Sequence, residues 1–130
     1  NADTASVHCV AEAIGGLYDT PHGVANAIFL PYVFKHNMDA DIKRHAEIGY
    51  AMGIDPSLPH TDAAKQAIAR LFELSKRLNI PSFNEIDSVD PKDFPQIAQK
   101  SMNNFSNPDN AKEMTIEDYM NILEEAYNGN

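Results

Sequence analysis

An all-α fold is what this sequence predicts, and three observations predict it. Apolar residues recur at spacings of three and four along nearly the whole chain. No segment alternates apolar and polar residues as a half-buried strand would, and Phe83 to Val89, the one candidate, is weakened by Asn84, Asp87 and Ser88. Breaks rich in Gly, Pro and Asn divide the chain into about six helices. At 130 residues the length allows one bundle-like domain, residues 1–130, with a single core.

The first helix is expected from Asp3 or Thr4 to Gly15-Gly16, with Val7, Val10, Ala11 and Ile14 as its apolar set. The second runs from Gly23 to about His36 and is apolar on most sides, and Pro31 should kink or divide it. The third spans Asp39 to Met52 with Ile42, Ala46, Gly49, Tyr50 and Gly53 on one face. The fourth follows a Thr61 cap from Asp62 to Leu78. Its apolar stripe is read as Leu71, Leu74, Ser75 and Leu78, and its wet side as Lys65, Arg70 and Lys76.

Pro81 keeps Ile80 extended, so Ile80 to Phe83 is a connector. Asp90-Pro91 opens the fifth helix, the aspartate as cap and the proline at the first position. Its stripe is Phe94, Ile97, Ala98, Met102 and Phe105. Asn107-Pro108-Asp109-Asn110 is loop chemistry. Thr115 to Asp118 reads as a capping box with aspartate in place of glutamate. It opens a last helix with Ile116, Tyr119, Met120, Leu123 and Tyr127 inward, ending at Asn128-Gly129-Asn130.

Composition removes several function classes. Lys plus Arg is 10 against 19 Asp plus Glu, a net charge of −9, and the tightest basic group is Lys43-Arg44. Nucleic acid is therefore not an expected partner. The longest apolar run, Ala27 to Phe34, is far too short for a membrane span. The N-terminus has no basic region of the secretory kind. A single cysteine, Cys9, forms no internal disulfide, which points to a reducing, cytoplasmic setting.

Chemistry concentrates in the N-terminal third. His8 lies in a helix among Val7, Cys9, Val10 and Ala11, so it needs a specific partner or a ligand. His22 stands in Thr20-Pro21-His22-Gly23, at the entrance to the second helix, where the return loop can bring it to His8. Two neutral imidazoles suit zinc, iron, copper or nickel, but a tight site needs further ligands. Glu12, four residues after His8, shares its helix face. Asp41 and His45 have the same spacing but sit in a charge-rich stretch that reads as a wet helix start. His36 and His60 lie at helix boundaries, where capping or exposure explains them. Cys9 reads as a small buried hydrophobe rather than a nucleophile. No phosphate-cradling glycine loop and no Gly-x-Ser-x-Gly elbow occurs.

The stretch from Val7-His8 through Thr20-Pro21-His22-Gly23 to Ala27 resembles the iron-containing (group III) alcohol dehydrogenases. Ile28 to Val33, Leu78-Asn79-Ile80-Pro81 and Asn107-Pro108 continue the likeness in order. The resemblance implies the all-helical C-terminal half of a two-domain dehydrogenase. It implies a divalent metal, Fe2+ or Zn2+, held by an aspartate and three histidines, with His8 and His22 at the positions of the last two histidines. The other two ligands, an Asp-x-x-x-His pair, lie upstream in that family. Asp41 and His45 come after His22, in the wrong order for that role. Glu12 occupies a position that is often histidine in the family, where the resemblance implies a part for its carboxylate in proton transfer. The resemblance also implies NAD(P), bound by a separate N-terminal domain, small alcohols, diols or aldehydes as substrates, and an oligomeric complete enzyme. By itself the 130-residue chain is expected to be inactive. The competing expectation is a non-catalytic helical interaction module whose histidines are structural.

Overall fold

A computed structural model describes residues 5–104 and 113–129. Every regular element among them is helical. The six helices are α1 (Ala5–Tyr18), α2 (His22–Asn37), α3 (Ile42–Ala51), α4 (His60–Arg77), α5 (Phe94–Asn103) and α6 (Ile116–Asn128). Short 3-10 turns occupy Met38–Ala40, Phe83–Glu85 and Pro91–Asp93. None of the described helices is long and apolar enough to cross a membrane.

Two cores organise the molecule. The larger is built by α1, α2, α5 and α6, with Val10, Ile14, Phe29, Ile97, Tyr119 and Leu123 essentially without solvent contact. Phe83, from the connector after α4, plugs it from the side, its ring edge-on to Phe29 and stacked with Phe94. The smaller core lies where the α3–α4 hairpin meets the C-terminal half of α2, and holds Phe34, Ala46, Ile54, Ala63, Ala67 and Ile68. Helix α2 touches α1, α4 and α6, which explains why its sequence is apolar on most sides.

Several helix ends differ from the sequence expectation. Gly15-Gly16 does not stop α1, which continues to Tyr18. The stop is Asp19, in the left-handed region at φ 54°. Pro31 does not divide α2, which is one helix through Asn37 with Pro31 itself buried. Packing on three neighbours outweighs the hydrogen bond that the proline forfeits. Helix α3 starts at Ile42, because Asp41 is its cap and accepts from the Arg44 amide, while residues 38–40 form the 3-10 turn. Helix α4 starts at His60 behind Pro59.

The face of α4 also needs correcting. Its buried residues are Ala63, Ala64, Ala67 and Ile68, whereas Leu74 and Leu78 are 46% and 63% exposed. Small side chains win that face because α3 approaches closely. A Cβ added at Gly49 would stand 2.9 Å from the Ala63 carbonyl oxygen.

The expected Thr61 cap fails, because Thr61 lies inside α4, whose N-cap is Pro59; two other capping signals behave as read. Asp90 accepts from the Lys92 amide, and its 3-10 turn leads directly into α5. Thr115 and Asp118 form a reciprocal capping box on α6. The expected Asp3 or Thr4 cap, Phe105, the Asn107–Asn110 loop and Asn130 lie outside the described residues.

Candidate metal centre

Three residues, Asp19, Thr20 and Pro21, reverse the chain between α1 and α2. The turn is tight: a Cβ at Gly15 would lie 3.2 Å from the Thr20 carbonyl oxygen. Glycine at that position lets the connector fold back against the helix it has just left. Pro21, at φ −54°, sets the entry to α2, and His22 is its first residue.

This reversal brings His8 and His22 together. Their rings are stacked, with centroids 5.4 Å apart and planes 16° from parallel. Both side chains are exposed. The exposure of His8 differs from what its apolar sequence neighbours suggest, and helix geometry explains it. Val7, Cys9, Val10, Ala11, Ala13 and Ile14 are buried, which leaves His8, Glu12 and Gly16 as a wet stripe among the described side chains of α1.

Beside His8 opens a pocket of 310 Å³ lined by Val7, His8, Asn26, Ala27 and Leu30. Its walls are apolar apart from the His8 imidazole and the Asn26 amide. The Oδ1 atom of Asn26 is buried and has no hydrogen-bond partner among the described residues. Asn26 escaped the sequence reading. The available signal was its spacing, one helical turn after His22 and so on the same face of α2.

Glu12 stands one turn beyond His8 on the wet stripe of α1. Its Oε2 accepts a hydrogen bond of 2.6 Å from the Asn104 side-chain amide, which links α1 to the end of α5. Cys9 is buried and free. Burial pushes its thiol up from the ordinary value and the charge of Glu12 adds to this, against a side-chain hydrogen bond with Tyr119. An inert thiol, not a nucleophile, is what that environment produces.

The other histidines stay apart from this pair. His36 lies 3.6 Å from Asp118 and joins α2 to α6. His60 begins α4 and is exposed, its ring 6.3 Å from that of Tyr50. Asp41 caps α3, as a wet helix start should, but His45 is completely buried in the smaller core. The expectation of a wet segment therefore holds for Asp41 and fails for His45. Among the described residues no group of three or more His, Cys, Asp or Glu is arranged to hold a metal ion.

As a donor set, His8 and His22 fit a borderline metal such as zinc or ferrous iron, for which imidazole is a common ligand. They supply two ligands, side by side and reachable from solvent. Closing a coordination sphere takes more than this pair.

Comparison with known proteins bears on what could complete it. Residues 1–127 match the family described as "Fe-containing alcohol dehydrogenase family, C-terminal". The chain is 41% identical over 120 residues to the 1,3-propanediol dehydrogenase of Klebsiella pneumoniae, a match covering 89% of this chain and 31% of that protein. It is 31% identical over 128 residues to the lactaldehyde reductase of Escherichia coli (strain K12), covering 98% of this chain and 34% of the relative. The crystal structure of a 1,3-propanediol oxidoreductase superposes with a TM-score of 0.88 at 35% identity, over 93% of this chain and 32% of that one. The chain thus spans about a third of the length of the curated relatives it matches.

Proposed function

The chain belongs to the Fe-containing alcohol dehydrogenase family, and we propose that it forms the helical wall of a metal-dependent, NAD(P)-linked site that interconverts small primary alcohols or diols with aldehydes. The stacked His8–His22 pair, with His8 lining an apolar pocket, carries this reading. His8 and His22 would hold the divalent metal, Fe2+ or Zn2+. When bound, such a metal supplies Lewis acidity toward a hydroxyl or carbonyl oxygen, while the nicotinamide is the hydride partner.

The chain's own residues do the rest of the work assigned here. Val7, Ala27 and Leu30 present apolar surface beside His8, which disfavours water near a hydride path. Glu12 offers a carboxylate one helical turn from His8, held in place by Asn104, and we assign it proton handling. The remaining metal ligands and the nicotinamide site belong, on this reading, to a nucleotide-binding portion that accompanies this domain in the complete enzyme. Its relatives' printed names, a propanediol dehydrogenase and a lactaldehyde reductase, support short substrates with two oxygens. The lone, buried Cys9 supports a cytoplasmic setting. A purely structural role for the two histidines fits less well, because structural imidazoles are ordinarily buried and saturated, and both of these are exposed.

Metal titration of the chain and of its His8→Ala, His22→Ala and double variants tests the ligand assignment. Zinc or ferrous ion should bind weakly to the parent chain, more weakly to each single variant, and not measurably at this pair in the double variant. Undiminished affinity in the double variant would remove both residues from the ligand set. The 130-residue chain should show no nicotinamide-linked oxidation of 1,3-propanediol. Robust turnover by it would overturn the division of the site between two portions.

A further inference from the structure

The pocket beside His8 contains an unmade hydrogen bond. Asn26 lines its wall, and the Asn26 Oδ1 atom is buried with no partner among the described residues. A buried acceptor left unpaired is costly, and folded proteins leave few of them. Asparagine is also a weak former of helix interiors. Asn26 is the fifth residue of α2, beyond the cap positions where such a side chain serves the backbone. The fold therefore carries this residue at a double cost. Its neighbours in the wall do not relieve it, because the side chains of Val7, Ala27 and Leu30 have no donor.

We propose that Asn26 is a substrate-binding residue that takes the second oxygen of a short diol or hydroxyaldehyde, while the reacting oxygen is held at the His8–His22 pair. This rests on the reading that those histidines hold the metal. Asn26 and His22 are four residues apart on α2, hence on one face and separated by about 6 Å along the axis. That span is comparable to the separation of the end oxygens in an extended three-carbon diol. His8 and Asn26 line the same pocket, so a molecule reaching inward from the histidines meets the amide.

The lining selects the chemical class. A volume of 310 Å³ admits a small molecule, and Val7, Ala27 and Leu30 suit its carbon chain. Among the described residues no lysine or arginine lines the wall, so a carboxylate or phosphate finds no counter-charge there. A hydroxyl both donates and accepts, so it pairs with either end of an amide. The terminal torsion of asparagine is broad, which lets the amide plane turn to a ligand that has entered. A simple alcohol of the same length would set a methyl group against the amide and leave it unpaired. Buried polar groups reject an analogue that lacks their partner in this way.

Two measurements test the assignment. The first uses the chain itself and needs no metal. Asn26→Ala and Asn26→Leu both remove the unpaired oxygen and the weak helix former, so each should melt above the parent by about 2–5 °C. A lower melting temperature for Asn26→Ala would mean that the amide serves the fold, and would overturn the proposal. The second compares 1,3-propanediol with 1-propanol in the complete enzyme. The ratio of their kcat/KM values should fall about tenfold in Asn26→Leu, with KM for the nicotinamide unchanged. An unchanged ratio overturns the proposal. So does an equal loss on both alcohols with a raised nicotinamide KM, which would place the amide at the cofactor. A parent enzyme that oxidises both alcohols equally well overturns this assignment and leaves the histidine reading standing. A parent that oxidises neither removes that reading, and this assignment with it.

Discussion

Replacing Gly49 by alanine should destabilise the protein, although alanine is the better helix former. Gly49 is buried in the last turn of α3, against α4. A Cβ built there stands 2.9 Å from the Ala63 carbonyl oxygen and 3.2 Å from both Ala67 Cβ and Ile54 Cδ1. The first neighbour is backbone inside α4 and has no rotamer to change, so the two helices must move apart. Overpacking of this kind costs about 1–3 kcal/mol. The helix-propensity gain of alanine over glycine returns about 1 kcal/mol. The balance is a net loss of about 1 kcal/mol, or roughly 3–5 °C in melting temperature for a domain of this size. Gly16→Ala is the matched control. Gly16 lies in the last turn of α1, is exposed, and a Cβ there meets nothing within 4 Å. It should gain about 0.5–1 kcal/mol. Thermal unfolding followed by far-ultraviolet circular dichroism reads both variants. If Gly49→Ala melts at or above the parent temperature, the close approach of α3 and α4 is not what excludes a side chain there.

Three further outcomes are expected. The Tyr18 hydroxyl donates to Asp93 Oδ2 at 2.8 Å, and burial, followed by that hydrogen bond, pushes its ionisation up to about 12. The unfolded chain releases this proton near 10, so the contribution of Tyr18 is intact below about 10 and is lost as pH climbs through about 12. Tyr18→Phe should reduce the steepness of alkaline unfolding in that window and remove the step of tyrosinate absorbance at about 12. Thr115→Ala abolishes the capping box in which Thr115 Oγ1 accepts from the Asp118 amide at 3.1 Å, and should cost about 1 kcal/mol in urea unfolding, with Thr115→Ser close to the parent. In the complete enzyme, Glu12→Gln should lower turnover and flatten the pH–rate profile with little change in melting temperature; an unchanged profile would release Glu12 from proton handling.

What was legible in the sequence is what short-range chemistry decides. Asp90-Pro91 and Thr115–Asp118 marked their helix starts because a cap and its amides lie within three residues of each other. Gly15-Gly16 misled because a helix end depends on which residue turns left-handed, and packing allowed α1 to reach Asp19. The stripe on α4 misled for a different reason. Leu71 does pack against the smaller core, but Leu74 and Leu78 are exposed, because α3 comes so close at Gly49 that the fully buried face is Ala63, Ala64, Ala67 and Ile68. His45 was concealed by the charges of Lys43 and Arg44, although its spacing to the close-packed Gly49 is one helical turn. The candidate site was legible as a list, His8, His22 and Glu12. That the first two are stacked, and that Asn26 joins His8 at the pocket, depends on the reversal at Asp19–Pro21.

The wet stripe of α1 is small because Val7, Cys9, Val10, Ala11, Ala13 and Ile14 are committed to the core. This favours a ligand-holding role. A metal site works only if its ligands keep their geometry without help from the metal, which calls for a stiff support. Helix α1 is packed on one side by α2 and on another by α5. Its buried residues fix its rotation, and the Glu12–Asn104 bond ties the stripe to the end of α5. His22 is anchored independently, as the first residue of a sixteen-residue helix with neighbours on three sides. Two exposed imidazoles on two immobilised helices hold their mutual position at little entropic cost. Side chains on a mobile loop would have to be ordered again at each binding event. The fold thus places its packing in the backbone beneath the two histidines and leaves both side chains exposed.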